Sequence, residues 1–263
     1  MIFKNLFSLE GKNVIITGGY GHLGRAIVVG LVSYDARVFV LGRNKTKFES
    51  AFNSEFLNSG KLEFVECDIE YSEQIYKSIS YVINNYNKID VLINNAMYLK
   101  GQNPEEITDK EWEYSIDGCL NSVYRCIREV IPYMKKQNSG KIINMSSMYG
   151  MVAPDLKIYN NYPQYLNPPH YGAAKAGIIQ LTKYYASYLG KFNIKVNTIT
   201  PGPFPSLAVQ KQKGFIEELN NKTLLNRIGV PEDLQGAFIF LASDSSNYIT
   251  GQNIIIDGGW TAI

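Results

Sequence analysis

The chain has 263 residues, of which 45% are hydrophobic and 19% are charged, with 22 glycines and 10 prolines. This balance excludes a disordered, collagen-like or low-complexity chain, since each of those needs more charge, more glycine or more proline. The formal net charge is +2 and the basic residues form no long run, so we expect neither a nucleic-acid partner nor a membrane-surface partner.

Apolar runs rich in β-branched residues alternate along the chain with segments of helical period. The predicted strands cover residues 12–17, 37–41, 61–65, 89–93, 141–145, 194–199 and 253–257. The predicted helices cover residues 23–32, 45–57, 72–86, 109–136 and 171–190, and a further helix begins at Pro231. Strands that are regularly separated by helices imply parallel pairing with right-handed crossovers. The sequence therefore predicts an α/β fold with a doubly wound parallel sheet, a Rossmann-type three-layer sandwich, as a single domain over residues 1–263.

Two segments, residues 150–170 and 202–226, break this alternation. Each follows a predicted strand, and ligands of doubly wound sheets bind beyond the carboxyl ends of the strands. We expect both segments to cover a substrate, with surface loops or subunit contacts as the alternative. The first of them lies in a stretch that is unusually rich in tyrosine: eight of the 19 tyrosines fall between positions 149 and 188.

The cysteines and the N-terminal residues indicate the compartment. Cys67, Cys119 and Cys126 form no CxxC pair, which favours a reducing compartment, so we expect a cytoplasmic protein. The first 13 residues are too short, and too interrupted by Lys4 and Glu10, for a signal peptide, and no apolar run is long enough to span a membrane. Cys67 and Cys126 are predicted core residues, and no spacing of His, Cys and carboxylates suggests a metal site.

A glycine-rich turn between the first predicted strand and the first predicted helix indicates a dinucleotide site. Glycines let the backbone approach a pyrophosphate, whose charge is stabilised by the free N–H groups at the helix N-terminus. We expect the whole turn to bind cofactor: Thr17, Gly18, Gly19, Tyr20, Gly21, His22, Leu23 and Gly24.

The end of the second predicted strand bears on cofactor choice. An acidic residue there would favour NAD, whereas an arginine can pair with the 2′-phosphate of NADP. The strand ends at Gly42, Arg43 and Asn44, so we expect Arg43 and Asn44 to bind cofactor and NADP to be favoured over NAD. The alternative is that Arg43 is a solvated surface charge that tolerates NAD.

A tyrosine and a lysine are spaced for acid–base chemistry at the start of a predicted helix. Tyr171 and Lys175 stand at positions i and i+4, which lie on one helix face. A nearby ammonium favours the phenolate and so lowers the pKa of the phenol. His170 precedes this tyrosine, but the adjacent position points elsewhere, so we expect it to be a residue at the loop end.

From about Leu9 to the C-terminus, the chain resembles the short-chain dehydrogenase/reductase family. The motifs that carry the resemblance are the glycine-rich turn, Asp68-Ile69, Asn94-Asn95-Ala96, Asn144-Met145-Ser146-Ser147, Tyr171 with Lys175, and Asn197-Thr198-Ile199-Thr200-Pro201-Gly202. The resemblance implies that Ser147 bonds the reacting carbonyl, Tyr171 is the acid/base and Lys175 also holds the nicotinamide ribose. It further implies cofactor contacts from Asp68, Ile69, Asn95, Ala96, Pro201 and Gly202. A dimer, or a tetramer built on the long helices, is expected.

Three positions depart from the family pattern. His22 stands where the middle glycine of the turn is usual, with Gly21 one place earlier, and Met97 replaces the glycine that usually follows Asn95 and Ala96. We expect His22 to lie at the rim of the loop. Cys119 stands where the family has an asparagine that supports a proton-relay water, which predicts a rearranged relay or a slower enzyme. A redox role for Cys119 lacks a cationic neighbour in the sequence.

Residues 148–170 separate the predicted catalytic serine and tyrosine, about twice the interval usual in the family. Aromatic rings beside amides suit the faces and hydroxyl edges of a sugar, and the layout resembles the branch associated with bacterial sugar and nonulosonic-acid (flagellin-modification) pathways. The predicted substrate contacts are Tyr149, Tyr159, Tyr162, Tyr165 and Phe204. One alternative is that this segment packs against the 202–226 segment or against a subunit. For the function, the alternatives are a 3-oxoacyl thioester reductase and a non-catalytic dinucleotide-binding sensor.

Overall fold

Seven parallel strands form one sheet in a computed structural model, which describes residues 6–262. The strands are β1 Asn13–Thr17, β2 Arg37–Gly42, β3 Leu62–Glu66, β4 Val91–Asn94, β5 Gly140–Met145, β6 Ile194–Pro201 and β7 Asn253–Ile256. Their order across the sheet is β3-β2-β1-β4-β5-β6-β7, and every neighbouring pair is parallel. The predicted doubly wound α/β fold is confirmed; residues 1–5, including Lys4 of the signal-peptide argument, and residue 263 lie outside the described part.

Helices connect the strands on both faces of the sheet. They are α1 His22–Ser33, α2 Lys45–Ala51, α3 Ser54–Leu57, α4 Ser72–Tyr86, α5 Asp109–Ile116, α6 Ser122–Gln137, α7 Pro169–Leu189, α8 Lys213–Asn221 and α9 Gln235–Ala242. Within the described residues, no helix is both long enough and apolar enough to cross a membrane.

Two of the predicted helices have interruptions that the periodicity did not indicate. The helix predicted over residues 45–57 is two short helices, because Phe52 is extended and the Asn53 side chain accepts a hydrogen bond from Phe56 N to begin α3. The helix predicted over residues 109–136 contains a π-helical turn, Asp117–Asn121, between α5 and α6. Such turns often occur at functional sites, and this one contains Cys119.

The buried side chains of the strands divide into one core on each face of the sheet. Ile15, Phe39 and Leu92 pack on the face that α4, α6 and α7 cover. Val14 and Ile16 pack on the opposite face, which α1 and α9 cover. Burying each large apolar side chain stabilises the fold by about 1.5–3 kcal/mol. Cys67 and Cys126 lie in the first core, as predicted.

A third, smaller core lies outside the sheet sandwich. Ile158 and Tyr159 of the 150–170 segment pack against Phe215 and Leu219 of α8, which belongs to the 202–226 segment. The two segments that interrupt the strand–helix alternation therefore fold against each other. Both follow the carboxyl ends of strands, β5 and β6, so they lie over the edge where the predicted site residues are.

Candidate active site

The glycine-rich turn is joined to the end of β4 by hydrogen bonds from one threonine. Thr17 Oγ1 accepts hydrogen bonds from the main-chain N–H groups of Asn95 (3.1 Å) and Ala96 (3.0 Å). The Asn95 side chain in turn donates to the carbonyl oxygens of Thr17 and Gly18. Gly18 has a φ of 65°, a conformation that side-chain-bearing residues adopt only with strain. This bonding holds the turn in the shape that leaves the N-terminus of α1 open.

A cavity of about 370 Å³ lies over this turn. Its lining includes these predicted cofactor residues: Gly18, Tyr20, Gly21, His22, Leu23, Gly24, Arg43, Asp68, Ile69, Asn95 and Ala96. Met97 and Tyr98 also line it. His22, the first residue of α1, is exposed at the cavity, in agreement with its expected place at the loop rim. The cavity lies beyond the carboxyl ends of β1, β2 and β4, where doubly wound sheets bind their ligands.

The remaining predicted cofactor residues lie outside the lining of this cavity. Thr17 and Gly19 are buried beneath the turn, and the Asn44 side chain accepts a hydrogen bond from Lys47 N at the start of α2. Pro201 ends β6, and Gly202 N donates to Ile256 O at 2.9 Å. These two residues lie at the same carboxyl edge as the predicted catalytic residues.

Ser147, Tyr171 and Lys175 come together from β5 and α7. Ser147 forms a hydrogen bond with the Tyr171 phenol, and Lys175 Nζ lies 5.5 Å from the centre of the Tyr171 ring. Lys175 Nζ donates to the main-chain oxygen of Met145 at 2.9 Å, and Ser146 Oγ donates to the main-chain oxygen of Lys175 at 2.8 Å. These two bonds attach the first turns of α7 to the end of β5, which fixes the tyrosine beside the serine.

Burial shifts the pKa values of Tyr171 and Lys175, the two predicted acid–base residues on α7. It raises the pKa of Tyr171 to about 12, against the opposing effect of the hydrogen bond with Ser147. It lowers the pKa of Lys175 to about 8. A phenol in this state holds its proton at neutral pH and can give it to an oxygen that gains negative charge. Taking a proton from an alcohol requires additional positive charge nearby, which an oxidised nicotinamide would supply.

Buried polar side chains connect the strand ends beneath the site. Asn94 Nδ2 donates to Asn144 Oδ1 (2.8 Å), and Asn144 Nδ2 donates to Thr182 Oγ1 (2.9 Å). The Thr198 hydroxyl donates to the same Thr182 oxygen at 2.8 Å. This series crosses from β4 through β5 and α7 to β6. It fixes the relative positions of the elements that carry the predicted catalytic groups.

The π-helical turn places Cys119 beside the predicted acid–base pair. Its Sγ lies 3.6 Å from the main-chain oxygen of Tyr98, and its charge state is coupled to both Tyr171 and Lys175. The expectation that Cys119 lacks a cationic neighbour is therefore wrong, because α7 brings Lys175 next to it in space. Burial raises the pKa of the Cys119 thiol and outweighs the lowering effect of Lys175, so the thiol stays protonated.

The sequence did not indicate a group of polar side chains between the π-helical turn and the predicted cofactor cavity. Asp117 accepts hydrogen bonds from Tyr98 and from both terminal nitrogens of Arg125, at 2.7 and 2.9 Å for the arginine. These bonds hold the pKa of Asp117 down at about 2. Arg125 also donates to the main-chain oxygen of Ile69 at 3.1 Å. In the sequence, only the eight-residue spacing of Asp117 and Arg125 indicated the contact between these two side chains.

Tyr149 is a predicted substrate contact that lies near the acid–base pair. Its charge state is coupled to that of Tyr171, and its hydroxyl lies 2.7 Å from the Tyr159 hydroxyl. Burial raises the pKa of both phenols.

The other rings of the predicted substrate contacts face protein. Tyr159, Tyr162 and Tyr165 all contact the Phe215 ring, with centroids 4.7–5.9 Å apart, and Phe204 is half-buried against the core. This packing agrees with the alternative that the two segments pack on each other.

His170 lies in the first turn of α7 rather than at the end of a loop. It is fully buried with its ring edge-on to Trp112, at a centroid distance of 6.1 Å. Neither ring nitrogen has a hydrogen-bond partner among the described residues. The side chain packs between α5 and α7, so nothing places it among the proton-transfer groups.

Comparison with known proteins agrees with the fold. A family profile described as enoyl-(acyl carrier protein) reductase matches residues 21–261. The chain is 34% identical over 256 residues to 3-oxoacyl-[acyl-carrier-protein] reductase FabG of Thermotoga maritima, covering 95% of this chain and 98% of the relative.

Two solved structures are similar over nearly the whole chain. One is a short chain dehydrogenase from Leptospira borgpetersenii with bound NAD⁺, with a TM-score of 0.85, 34% identity and coverage of 99% and 97%. The other is a gluconate 5-dehydrogenase from Burkholderia cenocepacia in complex with NADP and tartrate, with a TM-score of 0.87, 26% identity and 98% coverage of both chains. The protein belongs to the short-chain dehydrogenase/reductase family and is an NAD(P)-dependent oxidoreductase.

Proposed function

We propose that the enzyme transfers hydride between NADP and a carbonyl or secondary alcohol of a sugar or sugar derivative. In this proposal it acts in surface-glycan or nonulosonic-acid biosynthesis. The grouping of Ser147, Tyr171 and Lys175 at the carboxyl edge of the sheet supports the reaction type. The nicotinamide nucleotide supplies the hydride chemistry, and the protein supplies position and proton transfer.

Each of the three residues has a distinct task in the proposed mechanism. The Ser147 hydroxyl bonds the reacting oxygen and, through its hydrogen bond with the phenol, aligns Tyr171. Tyr171 donates its proton to that oxygen during reduction and takes it back during oxidation. Lys175, whose Nζ lies 5.5 Å from the centre of the Tyr171 ring, would stabilise the phenolate form and hold the nicotinamide ribose.

The pair of phenol hydroxyls beside Tyr171 is the observation that supports a polyhydroxylated substrate. The Tyr149 and Tyr159 oxygens lie 2.7 Å apart, so a single proton joins them and the other phenolic proton is left over to donate. A buried surplus donor is costly unless a ligand accepts from it. Hydroxyl and carbonyl oxygens of a sugar are suitable acceptors, and the 150–170 and 202–226 segments would cover such a substrate.

The proposed preference for NADP rests on Arg43. Its side chain is 66% exposed and lines the cavity, and its guanidinium lies 3.6 Å from a carboxylate oxygen of Asp68. An exposed pair at this distance is weak, so the guanidinium is available to a 2′-phosphate. The similar gluconate 5-dehydrogenase structure holds NADP, whereas the similar Leptospira structure holds NAD⁺.

We further propose that the enzyme works in the cytoplasm as a dimer or tetramer. Tyr124 on α6 and Tyr184 and Tyr188 on α7 have large exposed rings. Exposed aromatic groups on two adjacent helices suit a contact with a second copy of the chain.

A second candidate is reduction of 3-oxoacyl thioesters, which the 34% identity to a 3-oxoacyl-[acyl-carrier-protein] reductase favours. The expectation of a non-catalytic sensor is not retained, because the protein is an oxidoreductase of this family.

The test is a nicotinamide absorbance assay over sugars, sugar phosphates, nucleotide sugars and acyl thioesters, run with both NADP and NAD. We expect the highest kcat/KM with a sugar or sugar derivative and with NADP. Faster turnover of an acyl thioester than of every sugar compound would overturn the substrate assignment. Equal or higher kcat/KM with NAD would overturn the cofactor assignment without affecting the reaction type.

A further inference from the structure

A second polar cavity lies at the opposite edge of the sheet from the active site. It has a volume of about 200 Å³ and is lined where β1, β5 and β6 begin and where α9 ends. Its charged lining consists of Lys12, Asp90, Lys141, Lys195 and Asp244. Ser147 lies six positions after Lys141 along β5 and its end, a span of roughly 20 Å. The cavity is therefore separate from the cofactor and substrate site.

We propose that this cavity binds a small oxyanion of the phosphate or sulfate type, held by the ammonium groups of Lys141 and Lys195. No family member or activity described above assigns a ligand to this place. The inference does not depend on the proposed substrate or cofactor.

The carboxylates of the cavity are already bonded to other groups. One oxygen of Asp90 accepts a hydrogen bond from Asn13 N at 2.8 Å, and both of its oxygens lie close to Lys88 Nζ, at 3.0 and 3.1 Å. Asp244 lies 3.4 Å from Lys12 Nζ. Within the described residues, neither Lys141 nor Lys195 has a carboxylate oxygen within 4.0 Å. Asp244 attracts both lysines only from a longer distance.

Both of these lysines contact neutral acceptors. Lys141 Nζ donates to the main-chain oxygen of Ser243 and, at 2.7 Å, to Ser246 Oγ. An ammonium has three N–H donors, so the third N–H of Lys141 has no partner among the described residues. Lys195 Nζ donates to the side-chain and main-chain oxygens of Asn193, the latter at 3.2 Å. Only 8% of Lys141 is exposed and its residue lines the cavity, so this N–H has little access to bulk water.

The positively charged lysines of the cavity repel one another when no anion is bound. Burial lowers the pKa of Lys141 to about 8; repulsion from Lys195 and Lys12 adds to this effect, and attraction to Asp244 opposes part of it. Burial also lowers the pKa of Lys195; attraction to Asp244 opposes this shift, and repulsion from Lys12 adds to it. An oxyanion in the cavity would accept the unused N–H and offset this repulsion, which is the physical reason for a net gain on binding.

Calorimetric titration with sodium sulfate at constant ionic strength tests the proposal. The enzyme is first saturated with its nicotinamide nucleotide, so that sulfate cannot occupy the phosphate loop at the active site. The wild-type protein is compared with Lys195→Gln, and Lys191→Gln is the matched control because Lys191 lies four residues away and contacts the Phe192 ring instead of the cavity. Lys195 is half-buried, and circular dichroism verifies that its variant is folded.

We expect sulfate to bind the wild type and Lys191→Gln equally. Binding to Lys195→Gln should weaken by about tenfold or more, the loss expected for one hydrogen bond to a charged group. Lys12→Gln, which leaves Lys141 and Lys195 in place, should weaken binding less than Lys195→Gln. An absence of sulfate binding to the wild type, or equal binding to wild type and Lys195→Gln, would overturn the proposal.

Discussion

The hydroxyl oxygen of Tyr20 accepts a hydrogen bond from the main-chain N–H of Arg43 at 3.0 Å. It also accepts one from Asn44 N at 3.3 Å. The ring reaches this place because residue 42 is glycine: a Cβ there would lie 2.3 Å from the Tyr20 ring. With two N–H groups donating to its oxygen, the phenol keeps its own proton free to donate into the cofactor cavity, beside the Arg43 guanidinium.

Tyr20→Phe should therefore change cofactor preference. Loss of one donor to a charged phosphate costs about 1.5–3 kcal/mol, so the affinity for NADP should fall by about tenfold or more while the affinity for NAD changes little. Titration of the reduced nucleotides by nicotinamide fluorescence measures both dissociation constants without requiring a substrate. Tighter NADP binding by the variant would show instead that the Tyr20 hydroxyl competes with the 2′-phosphate for the two N–H groups.

Tyr171→Phe should bind cofactor normally and lose turnover. The substitution removes only the phenol hydroxyl, which is the group proposed to carry the proton, and leaves the ring and its packing. General acid–base catalysis contributes about 10²–10⁴-fold, so kcat should fall by at least that lower factor. Stopped-flow measurement of hydride transfer, with the cofactor dissociation constant measured in parallel, separates the two effects. Turnover within a few-fold of wild type would exclude Tyr171 as the acid/base.

Cys119→Asn should raise the turnover number. A thiol is a weak hydrogen-bonding group, and the Cys119 thiol stays protonated beside Tyr171 and Lys175, whereas an amide at this place can hold a relay water. We expect an increase of up to about tenfold in kcat, a small part of the range for general acid–base catalysis. Cys126→Ala, at a thiol in the apolar core, is the control for loss of a buried sulfur. An unaltered kcat would remove Cys119 from the mechanism.

Phe215→Ala should weaken substrate binding by loosening the two covering segments. The Phe215 ring contacts three tyrosines of the 150–170 segment, and truncating a buried phenylalanine costs about 3–5 kcal/mol. We expect a higher KM for the substrate and an unchanged dissociation constant for the cofactor, whose cavity lies elsewhere. Leu207→Ala, at a position that is 72% exposed, controls for truncation within the same segment. An unchanged KM would show that the segments do not cover the substrate.

The stability of the cofactor-free protein should be greatest near pH 9. The pKa values of Lys141 and Lys175 are about 8 in the folded protein against 10.5 in the unfolded chain. As the pH rises from 8, the unfolded chain holds more protons at these lysines than the folded one, so stability rises.

Above pH 9 the buried thiols reverse this trend. Burial raises the pKa of Cys67 to about 11 and raises the pKa values of Cys119 and Cys126 as well. The unfolded thiols ionise near pH 9 while the folded ones keep their protons, so stability falls. Urea unfolding at intervals from pH 7.5 to pH 10.5 measures the profile. A steady decrease from pH 7.5 would contradict it.

Much of the site could be predicted because its residues are close in sequence or follow successive strands. Tyr171 and Lys175 share a helix face at i and i+4, and parallel strands place Asn94, Asn144 and Thr198 in adjacent register at one edge. The partner of Lys175 could not be predicted in the same way. Its acceptor is a main-chain oxygen, that of Met145, and a main-chain oxygen has no sequence signature.

The sequence by itself determined the alternation of strands and helices, and hence the doubly wound sheet, because hydrophobic periodicity is a local property of the chain. It also determined the positions of the phosphate turn and of Tyr171 and Lys175. Only the tertiary structure decided that Cys119 lies beside Lys175, that Tyr20 bonds the end of β2, and that three tyrosines of the 150–170 segment pack on Phe215. These contacts join segments far apart in the chain, so they depend on how the elements pack rather than on any local pattern.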